Sequence, residues 1–478
     1  MPADGLVLAL DQGSHASRAV LFDASGAEVA EARQPVSTRR RGDDIVEQDP
    51  EELLASLRTA ALDACESAAA QGRRVVAAGL ATQRSTIVCW ERRGGRPLTE
   101  ALSWQDRRNA GWLAGLGSHA SRVRDITGLP LSPHYGASKL RWCLEHEPAV
   151  RGAAEGGQLA MGPLSSFLLA RLEPGQPCVV DPANASRTLL YDPATLDWSD
   201  ALLDLFGIER AHLPACVTTR HDFGLLQTGA QAIPLVICTG DQSAAAFAFG
   251  RPDPAVALVN VGTGAFVQRT ASRDAKVPAG LLRSVLYADE GGVLHAHEGT
   301  VNGAASALEW LRERVAIDVE RALAALSPNP GPVEPPLFMN GVGGLGAPYW
   351  RSDFPVEFVG DGDDMARLAS VLESIAFLLC VNLEALGRSA PLERIRLSGG
   401  LARSDFLCRR LADTSGLAVE RYTLAEATAR GVAYLAAGEP GSWRTPPLER
   451  VFTPASDALL VARYSRWRAE MERRGARS

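Results

Sequence analysis

Short apolar runs alternate along the chain with longer stretches in which apolar residues recur every three or four positions. The first run, residues 6–10, predicts a buried strand, and residues 19–22 predict a second strand after a turn that contains Gly13. The Asp-Ala-Ser-Gly sequence at residues 23–26 is a turn signal that leads into a third strand. This alternation of strands with amphipathic helices predicts α/β architecture.

The first helix is marked by its N-terminal residues as well as by its apolar face. Asp49 can cap it, Pro50 suits the first helical position, and Glu52 stands where the acid of a capping box belongs. Leucines and alanines between residues 53 and 68 form one apolar stripe. A strand over residues 75–81 follows and ends just before Gln83 and Arg84.

The order of strand, small polar loop and strand occurs twice, near residue 12 and near residue 263. This repetition predicts two similar halves with a boundary near residue 246. Further patterns predict strands over residues 234–238, 255–261 and 394–398, and helices over 243–249 and 364–386. The proline-rich segment 327–336 predicts a surface loop, and the basic C-terminus predicts a loosely attached helix.

Composition narrows this picture. A chain of 478 residues is too long to fold around a single hydrophobic core, so more than one domain is expected. A content of 46% apolar and 22% charged residues is typical of a soluble globular protein. The net charge of -7 argues against a nucleic-acid partner. The eight cysteines lack C-x-x-C spacing, so we expect no disulfide framework or zinc site and a reducing compartment, the cytoplasm. We also expect neither a signal peptide nor a membrane span.

Two glycine-containing loops have the chemistry of phosphate-binding turns. Asp11 ends the first strand and can hold magnesium, and the Gly13-Ser14 turn offers amides and a hydroxyl to phosphate. Gly262-Thr263-Gly264 repeats this chemistry after a later strand. Each loop alone is equally typical of a polar turn. Two such loops on matching strands could hold one polyphosphate.

Other strand ends carry further candidates. Asp241 could accept the proton of a hydroxyl that attacks phosphorus, although capping the next helix is the commoner use of aspartate there. Gly399 and Gly400 allow close backbone approach to a ligand, or simply a strand-to-helix turn. Arg84 with the rings of Trp104 and Tyr135 could surround a polyol, although each such residue is more often part of a surface or a core.

In this order the segments resemble the FGGY carbohydrate kinase family, and within it the glycerol kinases most closely. The resemblance runs from about residue 6 to residue 438 and is carried by LALDQGSHASRAVLFD, VEQDPEEL, TQRSTIVCWE, SWQDRR, DPANASRTLLYDPATLDW, TGDQSAAAF, VGTGAFV, GLGAPYW and LSGGLARSDF. It implies two actin-like (ribonuclease H-like) α/β domains with ATP and Mg²⁺ in the cleft between them. The implied division is an N-terminal domain over 1–246, a C-terminal nucleotide-binding domain over 247–440, and a tail over 441–478.

The resemblance also implies roles for individual residues. Asp241 matches the catalytic base, and Asp11 and Asp241 match the carboxylates linked to the metal. The positions that match substrate contacts are Arg84, Ser85, Trp104, Tyr135, Asp241, Gln242 and Phe266. The positions that match nucleotide contacts are Gly13, Ser14, His15, Ser17, Arg18, Gly262, Thr263, Gly264, Ala305, Gly400, Leu401 and Ser404.

Departures from the family pattern touch both groups. Ser85 stands where glycerol kinases have a glutamate, and the loss of such a charged hydrogen-bond partner typically costs roughly 1.5–3 kcal/mol. Ser14 and His15 stand where threonines are usual in the first loop. Ser404 replaces an asparagine and Ala305 a glycine.

The expected activity is transfer of the γ-phosphoryl group of ATP to a hydroxyl group, with glycerol as the first acceptor. Another polyol or ketose, such as erythritol or xylulose, is the alternative, because Ser85 leaves space and lacks charge. A non-catalytic nucleotide-binding regulator is a second class, motivated by the altered first loop. A filament protein like actin is a third class. It is disfavoured because Arg84, Trp104 and Tyr135, which could surround a polyol, would have no purpose there. Family members are often dimers or tetramers, so the resemblance implies a homodimer or homotetramer.

Overall fold

The computed structural model describes residues 5–173, 175, 177–229, 231–272, 274–327, 335–424 and 426–476. Residues 328–334, the centre of the predicted proline-rich loop, lie outside the described residues. By its internal contacts the chain forms two compact units. The first unit comprises Met1–Arg251, Ser284–His295 and Glu426–Thr445, and the second comprises Pro252–Arg283, Ala296–Ala425 and Pro446–Ser478.

The strands of the described residues are, in chain order, β1 (Gly5–Gln12), β2 (Ala16–Phe22), β3 (Glu28–Pro35), β4 (Arg39–Arg41), β5 (Ile45–Gln48), β6 (Arg74–Thr82), β7 (Ile87–Glu91), β8 (Ala101–Leu102), β9 (Leu159–Pro163), β10 (Val179–Val180), β11 (Tyr191–Asp192), β12 (Asp197–Trp198), β13 (Ala215–Cys216), β14 (Leu225–Thr228), β15 (Gln231–Gly240), β16 (Val256–Val261), β17 (Ala265–Ala271), β18 (Leu282–Asp289), β19 (Gly292–Val301), β20 (Leu337–Asn340), β21 (Val356–Val359), β22 (Arg394–Ser398), β23 (Ala418–Tyr422) and β24 (Leu448–Phe452).

The α-helices are α1 (Pro50–Ala70), α2 (Ala110–Ala114), α3 (Ala120–Thr127), α4 (Gly136–His146), α5 (Pro148–Glu155), α6 (Leu164–Leu172), α7 (Pro182–Ala185), α8 (Asp200–Phe206), α9 (Asp241–Ala245), α10 (Ala305–Arg312), α11 (Val319–Ala325), α12 (Asp364–Gly387), α13 (Asp405–Ser415), α14 (Ala427–Ala436) and α15 (Ala458–Arg473). Short 3-10 helices cover Gly117–His119, Ser186–Thr188, Arg210–His212 and Gly400–Arg403.

The main sheet of the first unit has the strand order β14-β15-β6-β1-β2-β3. The three antiparallel strands predicted at the start of the chain are confirmed as β1, β2 and β3. On its other side β1 pairs parallel with β6, and β6 pairs parallel with β15. Parallel strands end at one edge of a sheet, so the loops after β1, β6 and β15 emerge side by side.

Helix α1 covers this sheet with the predicted apolar stripe, including the buried Leu53 and Leu57. It begins as predicted, because Asp49 Oδ1 accepts a hydrogen bond from the amide of Glu51 at 2.9 Å. The predicted capping box is not formed, since Glu52 Oε1 accepts from the amide of Ser37 at 3.0 Å instead. A smaller sheet of this unit has the order β4-β5-β8-β7-β9.

The second unit repeats the arrangement found around β1. Strand β16 pairs antiparallel with β17 and parallel with β22, and β22 pairs parallel with β23. The predicted internal repetition is therefore confirmed, with β16 and β22 in the positions of β1 and β6.

Helix α12 is the core helix of the second unit. Among the described residues it is the one helix long and apolar enough to cross a membrane, and 94% of its most apolar window is buried inside the protein. Its apolar composition is thus explained by burial on nearly all sides.

Two elements differ from the prediction. Helix α9 ends at Ala245 rather than near residue 249, because the chain turns there and the amide of Phe247 donates to the carbonyl of Ala244 at 2.8 Å. The C-terminal helix α15 is firmly packed rather than loose. Trp467 is buried and donates to the carbonyl of Phe338 at 3.0 Å, and Arg463 Nε lies 2.6 Å from Glu373 Oε2.

The two compact units also differ from the linear division 1–246, 247–440 and 441–478. Helix α14 belongs to the first unit because small residues let it lie close to neighbouring backbone. A β-carbon at Gly431 would lie 1.8 Å from the carbonyl oxygen of Ala244, and one at Gly79 would lie 2.6 Å from Val432 Cγ1. The packed helix α15 places most of the predicted tail in the second unit.

Candidate active site

Three parallel strand ends bring the polar candidates of the first unit together. In the sheet Gln12 of β1 and Gly240 of β15 both pair with Thr82 of β6, one from each side. Asp11, Arg84 and Asp241 therefore emerge at the same edge. Strand pairing thus brings Asp241 beside two residues that lie more than 150 positions earlier in the sequence.

Asp11 is a buried carboxylate with an unusual charge environment. It is 5% exposed, and its Oδ2 lies 3.7 Å from Nη1 of Arg18, its cross-strand partner on β2. Burial and the nearby charge of Asp241 raise the pKa of Asp11 to about 7, against the opposing effect of Arg18. Arg18 in turn lies among several carboxylates, with its Nε 3.4 Å from Glu426 Oε1.

Asp241 is positioned by the strand end and by Arg84. It is the first residue of α9, and Gly240 occupies the N-cap position. The capping alternative is therefore wrong. Asp241 Oδ1 accepts from the amide of Gln242 at 2.7 Å and lies 3.8 Å from Arg84 Nε. The side chain of Asp241 is 31% exposed, so an incoming hydroxyl group can reach it.

Arg84 is buried between Asp241 and Gln242. Its guanidinium donates a hydrogen bond to Gln242 Oε1. A β-carbon at Gly240 would lie 2.6 Å from Cγ and Cδ of Arg84, so the glycine before Asp241 is what lets the arginine chain pass.

The first loop is joined to the aromatic set by hydrogen bonds. Trp104 Nε1 donates to Ser14 Oγ at 3.0 Å, and Ser14 Oγ donates to Gln83 Oε1 at 3.1 Å. Gln83 Nε2 donates to Gln48 Oε1 at 2.7 Å, and Gln48 Nε2 donates to the carbonyl of Ser14 at 3.0 Å. The loop is thereby held in one conformation by side chains from three other segments.

Two residues of the predicted first phosphate loop differ in where they point: Ser17 faces the core and His15 faces solvent. The Ser17 hydroxyl is buried and lies 2.8 Å from the hydroxyl of Ser56 on α1. Ser17 therefore points into the core of the unit rather than toward a ligand, which contradicts its predicted role. His15 is exposed at the turn, and its carbonyl accepts from the amide of Val36 at 3.1 Å.

The aromatic residues form one cluster. The His134 ring lies 5.6 Å from Trp104 and 5.0 Å from Tyr135, in edge-on contact with both. Burial, together with the cations of Lys139, Arg187 and Arg84, lowers the pKa of His134 well below its ordinary value. The ring is therefore neutral near pH 7 and packs as an aromatic side chain.

Ser85, next to Arg84, combines two unfavourable features. It is 3% exposed with a φ of 65°, in the left-handed region that side chains avoid. Its Oγ is buried without a hydrogen-bond partner among the described residues. Strain and an unpaired polar group at the same residue are typical of a ligand-binding position.

In the second unit the Gly262-Thr263-Gly264 turn connects β16 to β17. The start of α10 braces this turn, since the amide of Ala305 donates to the carbonyl of Gly262 at 3.0 Å and the amide of Ser306 donates to that of Thr263 at 3.1 Å. Ala305 thus contacts the loop through its backbone. Phe266 lies on β17, paired across the turn with Asn260.

The Gly399-Gly400 turn emerges beside that loop, because β22 is parallel to β16 and Ser398 pairs with Asn260. Gly399 has a φ of 94°, and a β-carbon there would lie 2.5 Å from the carbonyl oxygen of Val261. Gly400 is exposed and Leu401 is half-buried in the 3-10 helix that follows. Ser404 caps α13, with its Oγ accepting from the amide of Leu407 at 3.3 Å.

Sequence reasoning missed several residues at these positions. Gln48, Glu426 and Lys139 approach the first loop or the aromatic set only through tertiary packing.

The described residues contain no group of three or more histidine, cysteine, aspartate or glutamate side chains that could hold a metal ion. A metal here would therefore rely on the pair Asp11 and Asp241 together with ligand oxygens, which is a common arrangement for Mg²⁺.

Comparison with known proteins covers nearly the whole chain. Models of the FGGY family of carbohydrate kinases match residues 6–248 with the N-terminal domain and residues 257–438 with the C-terminal domain. The chain is 35% identical to a glycerol kinase of Acidovorax ebreus, over 96% of this chain and 97% of that one. It is also 35% identical to a glycerol kinase of Ectopseudomonas mendocina, over 93% and 92%.

Solved structures show the same fold. Plasmodium falciparum glycerol kinase with ADP matches with a TM-score of 0.88 at 24% identity, over 99% of both chains. A xylulose kinase from Brucella ovis matches with a TM-score of 0.87 at 23% identity, over 98% of this chain and 99% of that one. The predicted two-domain α/β kinase fold is confirmed.

Proposed function

Because the chain belongs to the FGGY family of carbohydrate kinases, we propose that it transfers the γ-phosphoryl group of ATP to a hydroxyl group of glycerol. Membership makes the chain a phosphotransferase that acts on an alcohol group. One observation supports the proposed chemistry above all: Asp11, Arg84 and Asp241 meet at the ends of three neighbouring strands.

In this proposal Asp241 is the general base. Its carboxylate takes the proton of the acceptor hydroxyl as the hydroxyl oxygen forms its bond to the γ-phosphorus. The bond from that phosphorus to the bridging oxygen breaks, and its electron pair leaves with ADP. Arg84, 3.8 Å from Asp241, keeps the carboxylate oriented and donates to acceptor hydroxyl groups.

The carboxylate pair fits a divalent cation. Burial, together with the nearby charge of Asp241, raises the pKa of Asp11 to about 7. A cation next to such a pair offsets their repulsion and favours both ionised forms. Mg²⁺ bound there would neutralise charge on the phosphates of ATP. Asp11 and Asp241 are the residues that would hold it.

The remaining assignments follow the strand ends and turns. Acceptor contacts are assigned to Arg84, Ser85, Trp104, Tyr135, Gln242 and Phe266. Phosphate and nucleotide contacts in the first unit are assigned to Gly13, Ser14, His15 and Arg18. In the second unit they are assigned to Gly262, Thr263, Gly264, Ala305, Gly400, Leu401 and Ser404. Ser17 is omitted, because its hydroxyl pairs with Ser56 in the core.

A ketose such as xylulose, or a longer polyol, is the second candidate acceptor. The observation in its favour is Ser85, which supplies a short unpaired hydroxyl where the glycerol kinases supply a carboxylate. A coupled assay of ADP release over glycerol, erythritol, xylulose and related compounds separates the candidates. Glycerol is expected to give the highest kcat/KM, and a higher value for a ketose would replace it as the acceptor.

Replacement of the base tests the mechanism. Asp241→Asn keeps the size of the side chain and removes the proton acceptor, so turnover is expected to fall by at least a hundredfold while ATP still binds. ATP binding is measured by calorimetry beside turnover. A variant with unchanged turnover would remove Asp241 from the role of base, and absence of acceptor-stimulated turnover in the unaltered protein would favour a nucleotide-binding regulator.

We also propose that the enzyme works in the cytoplasm as a homodimer or homotetramer. The cytoplasmic assignment is supported by the cysteines, because all eight are free thiols and six of them are buried, which suits a reducing compartment. Light scattering of the purified protein measures the assembly, and a monomer would contradict that part of the proposal.

A further inference from the structure

Lys139 occupies an unusual position in the first unit. Only two of the 49 basic residues of the chain are lysines, and the other lysine, Lys276, is exposed. Lys139 lies on α4 and is 1% exposed. Its ammonium group donates to the carbonyl oxygens of Ser85 at 2.8 Å, Ser103 at 2.9 Å and His134 at 3.0 Å.

These three carbonyl groups belong to three separate chain segments. Ser85 follows Arg84, Ser103 precedes Trp104, and His134 precedes Tyr135. Each segment therefore carries, next to the carbonyl, one of the residues assigned to the acceptor. A single buried ammonium group fastens the backbone beside all three.

The chemistry of this position requires a lysine. An ammonium group has three donors that spread from one nitrogen, which matches three carbonyl oxygens converging on one point. A planar guanidinium spreads its donors over a wider fork and cannot replace it without displacing the loops. The chain has arginine at all but two of its 49 basic positions. The convergence of three carbonyl groups explains why one of the two exceptions stands here.

No carboxylate bonds directly to this ammonium group in the described hydrogen-bond network. Asp106 is nearby, but its two oxygens already accept from Arg108 at 2.9 and 2.7 Å. The three carbonyl dipoles and the nearby charge of Asp106 therefore favour the ammonium form. Burial lowers the pKa of Lys139 to about 7, so keeping a lysine here is unfavourable for stability.

The fastened segments are strained or coupled to one another. Ser85, whose carbonyl is the closest acceptor, has the left-handed φ of 65°. The His134 ring contacts the rings of both Trp104 and Tyr135. Release of the ammonium would free a strained residue next to Arg84 and loosen the backbone beside both aromatic rings.

We propose that Lys139 is a positioning residue of the acceptor site, which sets the affinity for the polyol by holding the Arg84, Trp104 and Tyr135 segments in one arrangement. This rests on the proposed function, in which these three residues contact the acceptor. Lys139 itself touches no reacting atom. Ser14 of the first loop accepts from Trp104 but is also held by Gln83 and Gln48. The effect of Lys139 is therefore on acceptor binding and not on the nucleotide.

Lys139→Met in the full chain tests the proposal, with Lys276→Met as the matched control. Methionine keeps the length and apolar stem and removes the three donors. A displacement of about 1 Å in positioning groups can cost roughly a hundredfold in activity, so the acceptor KM is expected to rise at least tenfold. The KM for ATP is expected to stay within about twofold, and the control is expected to change neither value.

The split between the two KM values separates positioning from a merely structural role. An unchanged acceptor KM, or equal increases for acceptor and ATP, would overturn the proposal. If Lys139→Met does not fold, Lys139→Gln takes its place, because glutamine retains two N–H donors. The acceptor KM is then expected to rise by less than tenfold, and the KM for ATP is again expected to stay unchanged. Glycerol binding is measured by calorimetry beside turnover. If the unaltered protein binds glycerol but does not phosphorylate it, the proposed function is disproved. Loss of glycerol binding in the Lys139 variant would still support the positioning role in that case.

Discussion

Replacing Ser85 by alanine is expected to stabilise the free protein and to weaken acceptor binding at once. The hydroxyl of Ser85 is buried in a side chain 3% exposed and has no partner among the described residues. Alanine removes only that oxygen. The left-handed backbone, with its φ of 65°, remains as it was.

The expected size follows from the buried hydroxyl. A buried polar group without a partner costs roughly 1–3 kcal/mol, so its removal is expected to stabilise by a similar amount. In domains of a few hundred residues each kcal/mol moves Tm by roughly 2–4 °C. If the hydroxyl pairs with the acceptor, its loss removes roughly 0.5–1.5 kcal/mol of binding, which is about a two- to tenfold rise in the acceptor KM.

Ser186 offers a matched control. It is also 3% exposed, but its hydroxyl donates to the carbonyl of Ala183 at 3.0 Å. Ser186→Ala is therefore expected to lower the free energy of unfolding, by about 1 kcal/mol. The two alanine variants change the same atom at equal burial and are expected to shift Tm in opposite directions.

Thermal unfolding of the ligand-free proteins and acceptor kinetics together form the assay. A lower Tm for Ser85→Ala, similar to that of Ser186→Ala, would refute the reasoning, because it would mean that the Ser85 hydroxyl is paired within the free protein. A higher Tm with an unchanged acceptor KM would agree with an unpaired hydroxyl in the free protein and would remove Ser85 from the acceptor contacts.

The remaining predictions concern charge and backbone. Because the folded-state pKa of Asp11 is raised from 3.8 to about 7, its contribution to stability is present below about pH 4 and lost as pH rises through about 7. Asp11→Asn is expected to lack this loss, so its Tm at pH 8 exceeds that of the unaltered protein while turnover falls at least a hundredfold; a lower Tm at pH 8 would contradict the charge argument. Gly399→Ala places a β-carbon 2.5 Å from the carbonyl oxygen of Val261, so the turn must shift, and the KM for ATP is expected to rise at least tenfold. Unchanged nucleotide kinetics would remove that turn from the nucleotide contacts.

Much of the fold follows from local patterns in the sequence. The strand at the N-terminus, the first helix with its Asp49 cap and the strand before Gly399 are set by short apolar runs and by residues that favour particular backbone angles. The repeat of strand, loop and strand was visible because the loops at Gly13 and Gly262 use the same small residues. These features depend on neighbouring positions, which is why the sequence could predict them.

The site was predictable only in part. Asp241 seemed more typical of a capping residue until the structure placed Gly240 at the cap. Ser17 lies in the quoted motif, yet the strand alternation of β2 turns its hydroxyl toward Ser56. The role of Lys139 depends on three carbonyl groups that tertiary packing brings together, and no pattern of neighbouring residues predicts this convergence. The same applies to α14, whose Gly431 lies against α9.

The most direct test follows the fate of the γ-phosphoryl group. The purified protein is incubated with ATP, Mg²⁺ and glycerol, and the products are followed by phosphorus NMR. The proposed function predicts glycerol 3-phosphate in an amount equal to ADP, with little inorganic phosphate. ADP with inorganic phosphate alone, or phosphorylation of a ketose but not of glycerol, would contradict it.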